Sequence, residues 1–221
     1  MELSDVYLVS PRIKRVPARS LDALEKSLRS PLPAGYRDYL SRLGIGRFSG
    51  FLSIDAPAEV REHITFWRDN LADVIIDGMG VGMYSKAVLS PQRVREAIPF
   101  AHTDNGDTFV STPTRGDTLF VIPRGDSTIR TIRQGFADPI ACCRAVSIKD
   151  SRPYFEPTNG RRKLTNFAVR GGVSAVDAAL TDRWGTSEIH RFKTTTDHHW
   201  GSVTVYGVRD IEGLIKVSSK P

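Results

Sequence analysis

The residues with the clearest chemical potential are a run of turn-type side chains, Asp104-Asn105-Gly106-Asp107. Two carboxylates so close could hold a hard cation or share a proton. Calcium and magnesium, however, ask for about six oxygen ligands, and no third or fourth carboxylate lies nearby in sequence. Asp-Asn-Gly also suits a turn that needs a positive φ, and Asp side chains cap neighbouring backbone N–H groups. The run is therefore read as a structural turn, with Asp107 fixing the hairpin that follows. Asp197-His198-His199-Trp200 invites a metal reading too. Adjacent histidines on a strand point to opposite faces and cannot easily share an ion. Zinc-binding histidines are usually spaced, so this run is read as a loop or turn.

His63, His102 and His190 stand alone in the sequence, each read as a surface or satisfied core residue. No Gly-x-Ser-x-Gly elbow or phosphate-binding loop is present. Gly78-Met79-Gly80-Val81-Gly82 lacks the dinucleotide spacing and is read as a mobile loop. Cys142 and Cys143 are neighbours, which suits reduced, buried thiols better than a disulfide. The expectation is no catalytic residue, no metal and no cofactor. Trp67, Arg115, Arg124 and Trp200 are the residue types that anchor protein interfaces, although the helical register of Trp67 points it to the core.

The elements that would carry these residues are of two kinds. Leu21, Leu24 and Leu28 recur at helical spacing after Ser20, which is expected to cap the helix. Pro31 and Pro33 end it, and Tyr36, Tyr39, Leu40 and Leu43 mark a second helix closed by Gly44. Phe48–Ile54 reads as one short strand. Pro57 opens a third helix carrying Val60, Ile64 and Trp67. From Ile98 the pattern turns to short, β-branched and aromatic runs at 98–101, 108–111, 118–122 and 128–132, separated by turn residues. That spacing predicts an antiparallel meander. Residues 136–146 return as helix or loop. A break rich in Pro, Asn and Gly at 151–163 separates a domain at 1–150 from an extension at 151–221. The extension reads as strand 164–169, helix 174–184 and strands 188–194, 202–208 and 214–217.

Hydrophobic residues make up 40% of the 221 residues and charged residues 25%, which predicts a packed core. No run of about 18 apolar residues and no signal-type N-terminus occur, so a cytoplasmic protein without membrane contact is expected. The net charge of +6 is uneven, with +2 in residues 1–150 and +4 in residues 151–221, where Arg161-Arg162-Lys163 cluster. A basic excess can mark a nucleic-acid partner, but here bases and acids are interspersed, which favours a solvated surface.

Several features taken in order carry a resemblance. These are the Leu21/Leu24 helix, Leu32-Pro33, Tyr36, Leu40, Gly44, the strand from Gly50 to Ile54, Trp67, and Ile98-Pro99-Phe100-Ala101 leading to Gly106-Asp107. Over roughly residues 20–145 the chain resembles the SUKH superfamily of Smi/Knr-type domains. The Gly78–Ser85 stretch departs from that pattern. The resemblance implies an α+β fold with a central antiparallel sheet flanked by helices. It also implies a non-catalytic, protein-binding role, foremost that of an immunity protein that neutralises a bacterial toxin by occlusion. Partner contacts are then expected at the meander turns, through Asp104, Asp107, Arg115, Asp117, Arg124 and Asp126. The rival reading is a nucleic-acid-associated protein using Arg161, Arg162 and Lys163.

Overall fold

The computed structural model describes residues 3, 6–8, 13–124, 128–146, 154–158, 166–170, 190–197 and 200–206. The chain divides into two compact units, Met1–Leu8 with Arg12–Asn159, and Val9–Pro11 with Gly160–Pro221.

The first unit is an α+β fold. Its strands are β1 (Tyr7–Leu8), β2 (Gly46–Phe48), β3 (Leu52–Ile54), β4 (Ile98–Thr103), β5 (Thr108–Thr112), β6 (Arg115–Ile122), β7 (Arg130–Ile132) and β8 (Tyr154–Pro157). They form one sheet in the order β1-β8-β2-β3-β4-β5-β6-β7. Seven strands pair antiparallel, and β1 joins β8 in parallel at one edge. The expected meander is β4 to β7. Because β8 pairs with β2, the first unit runs on to Asn159, within the break expected at 151–163. Residues 48–54, expected as a single strand, are instead parts of a hairpin. Ser49 (φ 53°) and Gly50 (φ 67°) both adopt the left-handed conformation that tight hairpins require, and this folds β3 back onto β2.

The helices are α1 (Ala18–Leu28), α2 (Tyr36–Arg42), α3 (Pro57–Phe66), α4 (Ala72–Gly80), α5 (Pro91–Glu96) and α6 (Pro139–Ala145). Helix α1 starts two residues before the expected Ser20 cap, with Pro17 at its N-cap. The glycine-rich stretch expected as a loop is largely helical. Gly78 and Gly80 complete α4, and Gly78 is buried where the Tyr84 ring leaves no room for a side chain. A five-residue π-helical turn, Trp67–Leu71, links α3 to α4.

Alternation along the strands feeds two cores. On β5 and β6, Phe109, Leu119 and Val121 point into a large core with α1, α2 and α6, built around Leu21, Tyr36, Tyr39, Phe100 and Phe136. Val110, Phe120 and Ile122 point the other way, into a second core with Trp67, Ile75, Met79 and Val94. The sheet is thus covered on both faces there. Val60 of α3 belongs to the first core, whereas Trp67 and the buried residues of α4 belong to the second. The change of core falls at the π-helical turn.

The second unit contains a three-stranded antiparallel sheet of β9 (Asn166–Arg170), β10 (His190–Asp197) and β11 (Trp200–Tyr206), with β11 in the centre. Asp197 pairs with Trp200, so β10 and β11 are consecutive antiparallel strands flanking His198-His199. The helix expected at 174–184, the strand expected at 214–217 and the Arg161–Lys163 cluster lie outside the described residues.

Candidate functional site

Three side chains that are far apart in sequence meet where β3, α3 and β4 converge. Asp55 follows β3, with its N–H bonded to the Phe100 carbonyl of β4 at 2.9 Å. Ser53 faces His102 in register, so Asp55, two residues on, lies on the same side of the strand as Ser53. Pro57 then starts α3, and the Glu59 carboxylate caps its first turn by accepting from the Ala56 N–H at 2.6 Å. Two turns along α3 comes His63. On β4 the pairing with β5 shifts between Pro99 and Ala101, a bulge that bends the strand just before His102.

The Asp55 side chain is 1% exposed, and each carboxylate oxygen meets one imidazole. Oδ2 lies 2.7 Å from Nδ1 of His63, and Oδ1 lies 2.9 Å from Nδ1 of His102. The rings pack edge to face with centroids 5.7 Å apart. The hydrogen bond to Asp55 holds the His102 imidazole above its ordinary pKa; burial opposes this, and the charges of Asp55, Glu59 and Asp104 support it. A buried carboxylate needs such partners to remain ionised. From below, the Tyr36 hydroxyl donates to the Asp55 backbone carbonyl at 2.7 Å, and burial pushes that phenol's pKa well up.

The three residues line a cavity of about 180 Å³ with Phe66, Trp67, Leu71, Pro99, Ala101 and Thr108. Apolar walls around a few converging polar groups are the usual form of a small ligand site. Trp67 forms part of the wall and is fixed by donation from its indole N–H to the Val94 carbonyl at 2.8 Å. The π-helical turn adjoins this wall, and such turns recur at functional sites. Chemically, the cluster can exchange protons or bind a cation. Among the described residues, no hydroxyl or thiol hydrogen-bonds to either imidazole.

Of the residues expected at partner contacts, Asp104, Asp107 and Arg124 meet around the β4–β5 hairpin, and Arg115 lies at the start of β6. Asp107 is buried, which corrects its place among the contact residues. It accepts from the Thr103 hydroxyl at 2.6 Å and from the Arg124 N–H at 3.0 Å, fixing the β4–β5 hairpin to the loop after β6. Asp104 pairs with Arg47 at 2.9 Å on the surface. Arg115 is exposed at the start of β6, and the exposed Arg124 lies against Gly106. Asp117 is on β6, with its side chain outside the description, and Asp126 lies outside the described residues. Cys142 and Cys143 are buried. Burial pushes Cys142 well above its ordinary pKa and Cys143 up to about 12, and Asp138 adds to both effects, so neither is an activated thiol. Trp67 is 1% exposed and belongs to the core, as its register indicates.

The sequence reading missed the meeting of His63 and His102 on Asp55. The spacing matches no local ligand motif, and only the β3–β4 pairing brings the pieces together. No protein-family model, curated protein or solved structure matches the chain.

Proposed function

We propose that the first unit is a non-catalytic protein-binding module, an immunity-type protein that occludes a toxin made by the same cell and meets it in the cytoplasm. The resemblance of residues 20–145 to the SUKH superfamily supports this class. The observation that carries the reading is a stripe along the π-helical turn and α4. Asp69, Asp73 and Asp77 follow one another at four-residue steps and are all exposed. Beside them stand Val74, 62% exposed, and Val81, 81% exposed, with Phe66 and Met83 at the two ends of the stretch. These four are the large apolar side chains left exposed among the described residues. Exposed apolar groups along one stretch, flanked by carboxylates, are the raw material of an interaction surface.

The stripe also answers a question of charge. The chain is basic overall, yet a module that covers a basic nuclease needs a locally acidic face. The stripe supplies one, whereas the meander turns have committed Asp107 internally and Asp104 to Arg47. Among the described residues, Asp73 alone of the three stripe carboxylates is in an ion pair, with Arg95 at 3.2 Å, and that pair is exposed and worth little.

The test compares full-length protein with an Asp69→Lys/Asp73→Lys/Asp77→Lys variant in affinity purification from the native cell. The wild type is expected to retain a basic protein, in a salt-sensitive manner, that the variant releases. Equal retention by both would remove the stripe as the contact surface. Recovery of nucleic acid in place of protein would overturn the protein-partner reading.

A further inference from the structure

We propose that Asp55, His63 and His102 form a zinc-binding site with one coordination position open to the Phe66–Trp67 cavity. The inference is independent of the partner reading above and stands on the geometry of the cluster.

One carboxylate oxygen and one nitrogen from each imidazole, supplied by a strand end, a helix and a neighbouring strand, all lie within 4.8 Å of one another. A tetrahedral zinc with ligands near 2.0 Å sets its donors about 3.3 Å apart. The Asp55 contacts run to different oxygens, Oδ2 to His63 at 2.7 Å and Oδ1 to His102 at 2.9 Å, so whichever oxygen ligates has one imidazole just inside that figure, and the donor set as a whole lies within 4.8 Å. Side-chain rotations moving the donors by roughly 1 Å would admit the ion. The donor set fits the choice of metal. Two imidazoles and one carboxylate suit zinc and its transition-metal neighbours, whereas calcium and magnesium prefer all-oxygen shells.

The surroundings favour a bound ion over a simple hydrogen-bond lock. Asp55 is almost fully buried, yet it faces two side chains that are 37% and 46% exposed and open into a cavity. With both imidazoles neutral, the cluster carries one negative charge; a dication on the two Nδ1 atoms leaves each ring's single proton on Nε2 and brings the site to +1, which hydroxide or an anionic donor at the fourth position would balance. Three protein ligands and an open fourth position are the arrangement of zinc sites that take up water or an exogenous donor. The apolar wall of Phe66, Trp67 and Leu71 would shield the ion from bulk water on one side.

The experiment titrates full-length, metal-stripped protein with zinc, following heat of binding and thermal unfolding, and repeats the titration with cobalt to read the visible bands of a tetrahedral ion. The comparison proteins are His63→Gln and His102→Gln, which keep an N–H donor for Asp55, each with circular dichroism to verify folding. A His198→Ala/His199→Ala protein reports any contribution from the adjacent pair in the second unit. The wild type and the His198→Ala/His199→Ala protein are expected to bind one zinc at this site, and at metal about a hundredfold above Kd their unfolding midpoint should rise by roughly 5–10 °C. Each Gln variant should bind at least tenfold more weakly. Absence of a zinc-dependent rise in midpoint, or an undiminished rise in both Gln variants, would overturn the proposal.

Discussion

At the scale of single residues, Asp55 is held through its backbone and its side chain alike. Its backbone N–H is bonded to Phe100, its carbonyl accepts from Tyr36, and its carboxylate engages both histidines. Tyr36 also stacks edge-on against Phe100 with centroids 5.1 Å apart, so its ring is held independently of its hydroxyl. Tyr36→Phe should therefore keep the packing, lose the bond beneath the site and cost about 1–2 kcal/mol in urea unfolding. An unchanged midpoint would show that the hydroxyl contributes nothing there. Such connectivity could not be read from the sequence. Asp55 sits between an ordinary strand and an ordinary Pro-initiated helix, and His63 and His102 are 39 positions apart in the numbering. Asp107 was more legible, because Asp-Asn-Gly carries local turn chemistry and its carboxylate does fix the hairpin.

At the scale of elements, the meander β4 to β7 followed from alternation and turn residues, and the amphipathic α1 and α2 followed from their Leu and Tyr spacing. The errors have physical causes. Gly78 argues for a loop on propensity, but the Tyr84 ring packs where a side chain would otherwise sit, and tertiary packing overrides a cost of about 1 kcal/mol. Phe48–Ile54 alternates like one strand because both arms of the hairpin bury the same face, and the Ser49-Gly50 turn is hidden inside the run. A second element-scale feature joins α2 to the 3-10 turn Gly135–Ala137. Phe136 donates its N–H to the Ala34 carbonyl at 2.7 Å. Gly35 beside it has φ 74°, and a Cβ there would overlap the Ala137 backbone. Gly35→Ala combines a disfavoured conformation with a backbone clash and should cost about 3 kcal/mol, read as a lower denaturation midpoint with unchanged slope. A neutral effect would mean that the two elements can separate without loss.

At the scale of the whole molecule, composition predicted a packed core, and the described helices include none long and apolar enough to cross a membrane. The net charge was a poorer guide. A total of +6 conceals an acidic stripe on the π-helical turn and α4, because summation discards position. The domain break at 151–163 was placed by composition, which registers Pro153 and Pro157 as punctuation. It could not register that Tyr154–Pro157 returns to the first sheet, since proline at a strand end costs no ladder bond that matters.

That return has a consequence for how the protein is made. In the strand order, β8 lies between β1 and β2, so the first strand to leave the ribosome has no neighbour until one of the last strands of the same unit arrives. Until then the outer edge of β2 is an unpaired row of backbone groups, the kind of edge that recruits other chains. A nascent chain halted before Tyr154 carries every residue of the zinc cluster and most of both cores, yet offers an open sheet. A protein ending at Asp150 should accordingly be far less soluble than one ending at Asn159 when each is expressed and fractionated, and equal solubility would show that β8 is dispensable to the finished edge. The four-residue strand β8 thus closes the β1–β2 gap only after the rest of the first sheet has been synthesised.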